Sequence, residues 1–402
     1  MAIKPAGRAP LIGIVAGEAS GDLLGAGFIE AVRSRWPDAR FVGIGGPKML
    51  AASMDSLFPQ EMLAVRGYVE VLRRLPALLR IRHNLGTYFL RHRPDLFVGV
   101  DAPDFNLTLE RRLKAAGIPT LHYVSPSIWA WRGKRIRRIG RAADRVLALF
   151  PMEPPLYEAA GIPVTFVGHP LASQLPMTPD PARVRRALRI DAASHPLIAL
   201  LPGSRSAEVE HLGLLFIRTA ERLLERHPEA LFLVPLATRP TFDHFSWMLR
   251  YHSKQPQRFK VMFGHAHEAL EACDAALIAS GTATLEAALL KKPMVISYRM
   301  PWLSYQLMRH RAYLPWVGLP NILAGRQVVP ELLQGAATEE TLAEALEGQL
   351  ANPDRDAQWS AFYGIHKALL ADTRAAIIAA VEPVLSNGPV DLAVAATGEV
   401  GP

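Results

Sequence analysis

Short apolar runs alternate with amphipathic stretches along most of this 402-residue chain, and no other feature restricts the fold as strongly. Most of the runs are bounded by Gly or Pro, as buried strands are. Apolar strands separated by crossover helices are typical of parallel sheets that are covered on both faces. The pattern therefore predicts an α/β protein made of βαβ units. The predicted strands lie at 11–17, 40–46, 95–101, 120–126, 145–150, 165–170, 196–203, 230–237, 258–264, 275–281 and 293–299.

The predicted strands form two groups, separated by a segment that contains three prolines. At roughly 100–200 residues per domain, the chain length also favours two domains. We expect an N-terminal domain over 1–172, a linker over 173–190 and a C-terminal domain over 191–355. Helices are expected to follow over 356–385. Residues 386–402 have no hydrophobic period, so we expect a disordered tail there.

Composition excludes several classes of protein. Apolar residues make up 50% of the chain and charged residues 20%, which excludes chain-wide disorder, a collagen-like chain and a coiled coil. One cysteine excludes a disulfide framework and a zinc site built on several thiolates. We find no signal peptide, and no apolar run approaches the roughly 18–20 residues of a membrane span. We therefore expect a cytoplasmic protein whose contact with a membrane is peripheral.

The positive charge is concentrated in two segments. The formal net charge is +8, and residues 61–93 contain seven Arg against two Glu, a net +5. Residues 132–145 contain seven Lys or Arg against one Asp, a net +6, so the rest of the chain has a net charge of −3. Such surfaces suit nucleic acid, anionic lipid or a phosphorylated substrate. The alternative for each is a solvated helix face.

The first predicted strand is followed by Gly17-Glu18-Ala19-Ser20-Gly21-Asp22. Ligands of open α/β sheets bind beyond the carboxyl ends of the strands, so this turn is a candidate site. Ser20 or Asp22 can cap the next helix, and the free amides there suit an anion or a sugar hydroxyl. The spacing is not that of a dinucleotide fingerprint, and Glu18 would repel a pyrophosphate. Glu18 therefore suits hydroxyl binding, with a capped turn as the alternative.

Two further turns of the N-terminal group contain candidate residues. Asp101 stands at the end of a predicted strand, where a carboxylate is well placed as a general base. A simple turn carboxylate is the alternative for Asp101, and we favour a helix-capping role for Asp104. Trp129 and Trp131 lie beside many cations and suit base stacking or a lipid interface. A partly buried aromatic is the favoured interpretation for at least one of them.

The C-terminal group contains two turns of the kind that bind anions. Gly203-Ser204-Arg205 follows one predicted strand, and Ser280-Gly281-Thr282 follows another, each at the start of a predicted helix. Two such turns in one domain indicate a single diphosphate ligand. Glu286 lies one helical turn past Thr282, within reach of a ribose. No P-loop is present, because no Gly-Lys-Ser/Thr follows either turn.

Metal and nucleophile chemistry have little support. The thirteen His show no ligand spacing, and His265 and His267 lack a third ligand. Asp354 and Asp356 form the single D-x-D, which we interpret as a helix start. The chain lacks a credible nucleophile elbow, and Cys273 precedes a buried strand. We therefore predict neither a metal site nor a nucleophilic hydrolase.

Together these motifs resemble the lipid A disaccharide synthase family, in that family's order and over about residues 11–385. The motifs are long and non-degenerate. They are AGEASGD (16–22), GVDAPDFN (99–106), HYVSPSIWAWR (122–132), FVGHPL (166–171), LLPGSRSAEVE (200–210), ASGTATLE (279–286) and LPNILAGR with VPELLQ (319–334).

The resemblance implies a GT-B glycosyltransferase with two Rossmann-like domains that face each other across a cleft. It implies UDP-2,3-diacylglucosamine as donor and 2,3-diacylglucosamine 1-phosphate as acceptor. The products would be a β(1→6)-linked disaccharide 1-phosphate and UDP. No cofactor or metal is implied. The family acts at the cytoplasmic face of the Gram-negative inner membrane, and the resemblance also suggests a homodimer.

The resemblance also assigns roles to residues. Asp101 in GVDAPDFN would be the base that deprotonates the acceptor hydroxyl. Arg205 would neutralise the diphosphate together with the helix start at Ser280, Gly281 and Thr282. Further residues are expected to bind substrate or line the cleft, and they are Glu18, Ser20, Glu286 and Asn321.

Residues 65–90 have the pattern of an interfacial amphipathic helix, with an apolar face among Arg side chains. Pro76 in the middle predicts two short helices. The alternative is that the apolar face packs onto the sheet, as a crossover helix requires. The residues expected at the membrane are Tyr68, Leu72, Arg73, Arg74 and Leu75.

Two other functions compete with this one. Another UDP-sugar enzyme of the same fold, such as an N-acetylglucosaminyltransferase or a UDP-N-acetylglucosamine epimerase, fits most of the motifs. A nucleic-acid-binding protein fits the basic segments. We find no nucleic-acid motif, and the basic residues flank apolar faces, so nucleic acid is not the expected partner.

Overall fold

The structure of the chain is a computed structural model. It describes residues 8–63, 68–129, 133–191, 195–300 and 314–387. Two compact units can be distinguished. The N-terminal unit contains the chain up to Pro170 and again from Leu369 onward, and the C-terminal unit contains Leu171–Ala368. Most of the predicted tail, 388–402, lies outside the described residues.

The N-terminal unit is built on a parallel sheet of seven strands in the order β3-β2-β1-β4-β5-β6-β7. The order reverses between β1 and β4, which makes their carboxyl ends the place where such sheets bind ligands. The strands are β1 (Leu11–Ala16), β2 (Arg40–Ile44), β3 (Asp55–Ser56), β4 (Leu96–Val100), β5 (Thr120–Tyr123), β6 (Arg145–Ala148) and β7 (Val164–Phe166).

The C-terminal unit has a six-stranded parallel sheet in the order β10-β9-β8-β11-β12-β13. Here the order reverses between β8 and β11. The strands are β8 (Leu197–Leu201), β9 (Leu231–Leu236), β10 (Phe259–Phe263), β11 (Ala275–Ala279), β12 (Met294–Tyr298) and β13 (Glu331–Leu333). Every residue of β8 and β11 is buried, as expected for central parallel strands.

Sixteen helices are numbered here, all within the described part of the chain. Those up to β7 are α1 (Ala19–Arg35), α2 (Pro47–Ala51), α3 (Tyr68–His92), α4 (Pro103–Lys114), α5 (Ile136–Ala142) and α6 (Pro154–Glu158). The later ones are α7 (Pro170–Gln174), α8 (Pro181–Ala187), α9 (Ser206–Arg226), α10 (Arg239–His252), α11 (Ala266–Ala272), α12 (Thr282–Leu289), α13 (Leu319–Ala324), α14 (Glu339–Leu350), α15 (Arg355–Leu369) and α16 (Thr373–Asn387).

Helices cover both faces of the N-terminal sheet. Ile12 and Ile14 of β1 pack in a core cluster with residues of α1 and α16. Val15 of the same strand packs in a second cluster with residues of α3 and α4. Successive side chains of a strand point to opposite faces, so both faces of β1 are buried. This is the doubly wound α/β fold that the sequence predicts.

The fold class and all eleven predicted strands are confirmed. The sequence reading missed β3 and β13, which have two and three residues and lie at sheet edges. Strands this short have no detectable apolar period. Sequence also gave no sign that α16 packs on the N-terminal unit, where the Thr373 hydroxyl donates to the Val167 carbonyl at 2.7 Å.

The prediction of two short helices around Pro76 is wrong, because α3 is one continuous helix from Tyr68 to His92. A proline inside a helix removes one backbone donor, and the other backbone hydrogen bonds persist on either side. Ile81, Leu85 and Phe89 of α3 are buried in the core and hold its second half in place. Within the described residues, no helix has the length and apolar character that crossing a membrane requires.

Candidate active site

The turn after β1 exposes two of the predicted residues. Glu18 is the N-cap of α1, its backbone is extended, and its side chain accepts no capping hydrogen bond. Glu18 and Ser20 are both exposed. Asp22 does not cap α1, because its buried carboxylate accepts backbone N–H groups from Gly46 at 2.8 Å and Met49 at 3.0 Å. It therefore caps α2, a role that depends on the fold and not on local sequence.

Asp101 directly follows β4 in an uncommon backbone conformation. Asp101 and Ala102 have φ angles of 51° and 42°, and two consecutive left-handed residues other than glycine are rare. The conformation is held by the Asp101 N–H, which donates to the Tyr123 carbonyl at 2.8 Å. The Asn106 side-chain amide also donates to the Asp101 carbonyl at 2.9 Å. The side chain of Asp101 remains half-exposed.

The Glu18 and Asp101 turns are in contact. β1 and β4 pair in parallel with Ala16 opposite Val100, so the two turns begin side by side. A Cβ atom placed on Gly17 would lie 3.2 Å from the Cβ of Ala102. The structure therefore brings these two acidic turns together at the carboxyl edge of the N-terminal sheet.

Asp104 does not cap α4, so the predicted capping role is wrong. The N-cap of α4 is Ala102, with no side-chain cap hydrogen bond. The Asp104 carboxylate instead pairs with Arg135, and Arg138 lies 3.9 Å away. Part of the positive charge at 132–145 is thus balanced by an exposed carboxylate of the same chain.

Trp129 confirms the prediction that one tryptophan is partly buried, and Trp131 lies outside the described residues. The Trp129 indole donates to Glu153 Oε1 at 3.2 Å. Glu153 Oε2 accepts the backbone N–H groups of Leu149 and Phe150, both at 3.0 Å. Burial raises the pKa of Glu153 to about 7. Sequence reasoning missed Glu153, because it stands in a proline-rich turn without a recognisable motif.

A cavity of about 330 Å³ lies at the carboxyl edge of the C-terminal sheet. This size falls within the range of small-molecule sites. One part of its wall is apolar and includes Leu201, Pro235, Leu236, Ala237 and Ala266. The other part is polar and contains five of the predicted binding residues, namely Arg205, Ser280, Gly281, Thr282 and Glu286.

The start of α12 presents backbone donors to this cavity. Gly281 is the N-cap with φ of 155°, a conformation that favours glycine, and it provides no side chain to cap the helix. The Ser280 hydroxyl is directed to the Val317 carbonyl at 3.2 Å. Uncapped amides in the first turn, together with the helix dipole, attract anions. The polar wall therefore suits a phosphate group at Gly281 and Thr282.

The other predicted anion-binding turn, Gly203-Ser204-Arg205, already binds a carboxylate of the protein itself. Glu208 Oε2 accepts the N–H groups of Ser204 at 2.9 Å and of Arg205 at 3.2 Å. Its Oε1 accepts from the Arg205 guanidinium at 3.2 Å. The backbone amides of this turn are thus satisfied internally. The Arg205 side chain is 67% exposed, and Arg205 lines the cavity.

Glu286 has a partner that sequence reasoning missed. His267 Nε2 lies 3.2 Å from Glu286 Oε2. The hydrogen bond to Glu286 raises the pKa of His267 above its ordinary value. The sequence signal is His265-Ala266-His267 after a strand, a spacing weighed above for metal ligands and not for a contact with Glu286. Among the described residues, no cluster of three or more His, Cys, Asp or Glu side chains is arranged to hold a metal ion.

The structure places Asn321 in the interior of the C-terminal unit. Asn321 is fully buried, and its amide group donates to the Val329 carbonyl at 3.0 Å and to Glu331 at 2.7 Å. Its oxygen accepts the N–H groups of Val328 and Val329. All of its hydrogen-bonding capacity fixes the approach to β13, so we assign it a structural role instead of substrate contact.

The predicted membrane residues are described in part. The side chains of Tyr68, Leu72 and Arg73 lie outside the described set, whereas Arg74 and Leu75 are exposed. Leu75 and Leu79 have exposed fractions of 40% and 45%, unusual values for leucine in a helix whose second half is core. The alternative of a wholly core-packed apolar face therefore does not hold for these two residues.

Two doubly wound parallel-sheet units are the architecture of the GT-B class of glycosyltransferases and related enzymes. Similar solved structures include MurG of Acinetobacter baumannii, with a TM-score of 0.57 and 14% identity over 94% of this chain and 100% of that one. A UDP-GlcNAc 2-epimerase of Neisseria meningitidis bound to UDP-GlcNAc has a TM-score of 0.60 and 12% identity, with 94% and 100% covered. At these identities the likeness shows the fold alone.

The family model for lipid-A-disaccharide synthetase matches residues 12–372, and the chain belongs to that family. A lipid-A-disaccharide synthase of Methylobacillus flagellatus is 54% identical over 90% of this chain and 96% of its own length. That of an Azoarcus species is 55% identical over 94% and 97%. The resemblance predicted from the motifs is confirmed, and the protein is a UDP-sugar glycosyltransferase of lipid A synthesis.

Proposed function

We propose that the enzyme transfers the sugar of UDP-2,3-diacylglucosamine to the 6-hydroxyl of 2,3-diacylglucosamine 1-phosphate. The bond from the anomeric carbon to UDP breaks, a β(1→6) bond forms, and UDP leaves with the electron pair. The proton of the acceptor hydroxyl goes to a base on the enzyme. The observation that best supports this is the family match over residues 12–372. The cavity, which five predicted residues line, agrees with it.

The cavity is suited to UDP without a metal. Its polar wall presents the Arg205 guanidinium and the first turn of α12, both of which stabilise negative charge on a leaving diphosphate. Glu286 lies farther along α12 and accepts hydrogen bonds from ribose hydroxyls in this arrangement. The apolar wall around Pro235 and Ala266 suits the uracil ring. We therefore assign the C-terminal unit to the donor and the N-terminal unit to the acceptor.

Asp101 is our proposed base. Its carboxylate forms no hydrogen bond or ion pair with any side chain in the described part of the protein, and it is half-exposed. An inverting transfer requires a carboxylate that is free to take the hydroxyl proton. Glu18 and Ser20 stand in the contacting turn and suit the hydroxyl groups of the acceptor sugar.

We further propose that α3 binds the cytoplasmic face of the inner membrane, where both acylated substrates reside. Leu75 and Leu79 are exposed, and Arg74 and Arg80 on the same stretch of helix are exposed beside them. Exposed apolar side chains among cations suit an anionic bilayer surface. Among the side chains of α3 that the structure describes, the core residues begin at Ile81.

We also retain the homodimer as a proposal. Trp359 and Tyr363 of α15 stack at a ring separation of 5.2 Å and have exposed fractions of 41% and 39%. An exposed aromatic pair of this kind is typical of a protein interface. Light scattering in detergent should give twice the chain mass of 44.1 kDa. A monomer at micromolar concentration would contradict the proposal.

The deciding experiment is incubation with UDP-2,3-diacylglucosamine and 2,3-diacylglucosamine 1-phosphate, followed by mass spectrometry of the lipid product. We expect a disaccharide 1-phosphate and one UDP per product. A parallel reaction with UDP-N-acetylglucosamine tests the alternatives of the same fold. Epimerised UDP-sugar, or transfer of N-acetylglucosamine at a comparable rate, would contradict the proposed substrates.

A further inference from the structure

Two carboxylates line the cavity that we assign to a diphosphate. They are Glu208 and Glu286. Like charges about 5 Å apart repel by roughly 3 kcal/mol at the effective dielectric of a protein surface. An anion site with two uncompensated carboxylates would therefore bind UDP poorly. Glu208 is compensated by Arg205, and the compensation of Glu286 needs a separate explanation.

The partner of Glu286 is His267. His267 lies in the first turn of α11, directly after β10, and its Nε2 is 3.2 Å from Glu286 Oε2. The Glu286 side chain is 17% exposed and that of His267 is 44% exposed. Glu286 thus lines the cavity, whereas His267 contacts Glu286 from outside the lining and is partly exposed to solvent. The contact joins α11 and α12, which begin after β10 and β11 of the same sheet.

The charged groups around His267 all favour its cationic form. Besides Glu286, the carboxylates of Glu268 and Glu271 on α11 act on it. His265 is engaged elsewhere, because its Nδ1 lies 3.2 Å from Glu268 Oε1. His267 and His265 thus have different partners although they are two residues apart, and this makes His265 a matched control.

We propose that His267 is a positioning residue for nucleotide binding, which holds Glu286 toward the ribose hydroxyls and cancels its charge beside the diphosphate. The inference rests on the proposed UDP site. His267 Nε2 forms a hydrogen bond with Oε2 of Glu286, and this contact sets the orientation of the carboxylate. Oε1 of Glu286 then stays available to a ribose hydroxyl. His267 itself touches no reacting atom.

The proposal gives UDP binding a pH dependence. The hydrogen bond to Glu286 raises the pKa of His267, so the imidazolium persists above its ordinary titration range. UDP affinity should be greatest below this pKa and should fall as pH rises through it, because Glu286 then loses its counter-charge. A residue with a merely structural role would not produce such a profile.

Calorimetry with UDP and with its 2′-deoxy and 3′-deoxy analogues tests the proposal. The parent enzyme should bind UDP more tightly than at least one deoxy analogue. His267→Ala should weaken UDP binding by roughly tenfold and reduce that preference. His265→Ala should leave both unchanged. His267→Gln retains a donor without charge, so it should keep the ribose preference and lose the pH dependence.

A second comparison shows whether His267 acts through Glu286. In a Glu286→Ala background, adding His267→Ala should have little further effect on UDP binding. Additive losses, or parent-like affinity and ribose preference in His267→Ala with an unchanged melting temperature, would overturn the inference and leave the UDP site standing. If the parent enzyme bound no UDP, the proposed function would fall and this inference with it.

Discussion

The carboxyl edges of the two sheets differ in whether their acidic side chains have ion-pair partners. At the N-terminal edge, Glu18 and Asp101 follow neighbouring strands, and their carboxylates have no ion-pair partner within the described ranges. At the C-terminal edge, Glu208 pairs with Arg205 and Glu286 with His267. The N-terminal edge, here called the unpaired edge, therefore presents the unpaired Glu18 and Asp101 next to Asp104, which is paired with Arg135. The C-terminal edge, here called the neutralised edge, presents the two paired carboxylates that line the cavity.

This difference separates two kinds of chemistry on one fold. A carboxylate without a cation is available to accept a proton or a sugar hydroxyl. A carboxylate that is already paired leaves an edge to which a diphosphate can bind without net repulsion. The fold supplies the edges, and the residues that follow each strand decide their function.

The largest expected effect is at the unpaired edge. Asp101→Asn removes the proposed base and keeps the shape, so kcat should fall by about 10²–10⁴-fold. The affinity for UDP should stay within twofold of the parent value, because the donor site lies in the other unit. Single-turnover rates and calorimetry measure the two quantities.

Asp104→Asn is the matched control for this substitution. Asp104 lies three residues farther on, in the first turn of α4, and is paired with Arg135. Its substitution should change kcat only a few-fold. An Asp101→Asn enzyme that keeps most of its kcat, or an equal loss in both variants, would remove the distinction between free and paired carboxylates.

A pH prediction concerns a third carboxylate of the N-terminal edge. Burial raises the pKa of Glu153 from 4.5 to about 7, so the folded protein holds this proton more tightly than the unfolded chain does. Its contribution to the free energy of unfolding should therefore fall as pH rises from about 4.5 to about 7, by ~3 kcal/mol. Glu153→Gln should flatten this part of the stability curve, as measured by urea unfolding. An unchanged slope would show that Glu153 ionises normally.

The residues that sequence predicted well are those whose partners are local. The glycine turns after β1, β8 and β11 and the apolar strands themselves are determined by neighbouring residues. Asp22 and Asn321 were not predictable in the same way. Asp22 caps a helix that begins 25 residues farther on. Asn321 forms hydrogen bonds with the segment that leads into β13. Such roles depend on which segments the topology brings together.

Arg205 tests the neutralised edge. A charge-assisted hydrogen bond to a diphosphate is worth about 1.5–3 kcal/mol, so Arg205→Ala should weaken UDP binding by roughly 10–150-fold. The low end is expected, because Arg205 is paired with Glu208 in the unliganded protein and exchanges one anion for another. Arg239→Ala is the control, since Arg239 is equally exposed and pairs with Asp243 outside the cavity.

The same edge predicts the response to chelation. Because Arg205 and the α12 helix start supply the positive charge, EDTA should leave activity intact. Equal UDP affinity in Arg205→Ala and the parent, or a strict requirement for Mg²⁺, would contradict this account of the neutralised edge.

The smallest expected effect concerns the surface of the N-terminal unit, where α3 divides into two parts. Leu75 and Leu79 are exposed, whereas Leu85 is fully buried. Each buried CH₂ is worth about 0.8 kcal/mol, so even shallow insertion of two leucines adds measurably to vesicle binding. Leu75→Ser with Leu79→Ser should weaken co-sedimentation with anionic vesicles about tenfold. The melting temperature should change little, because neither side chain belongs to the core.

Two controls distinguish membrane binding from an effect on folding and from non-specific hydrophobic adsorption to vesicles. Leu85→Ser changes the same residue type on the same helix and should cost several kcal/mol of stability. Trp247→Ser with Tyr251→Ser removes aromatic side chains of the C-terminal unit that are 55% and 66% exposed, and vesicle binding should stay unchanged. If the substitutions at Trp247 and Tyr251 weakened vesicle binding as much as those at Leu75 and Leu79, the membrane surface would not belong to the N-terminal unit alone. Marked thermal destabilisation by the α3 pair, with normal vesicle binding, would place those leucines in the core and end the membrane assignment.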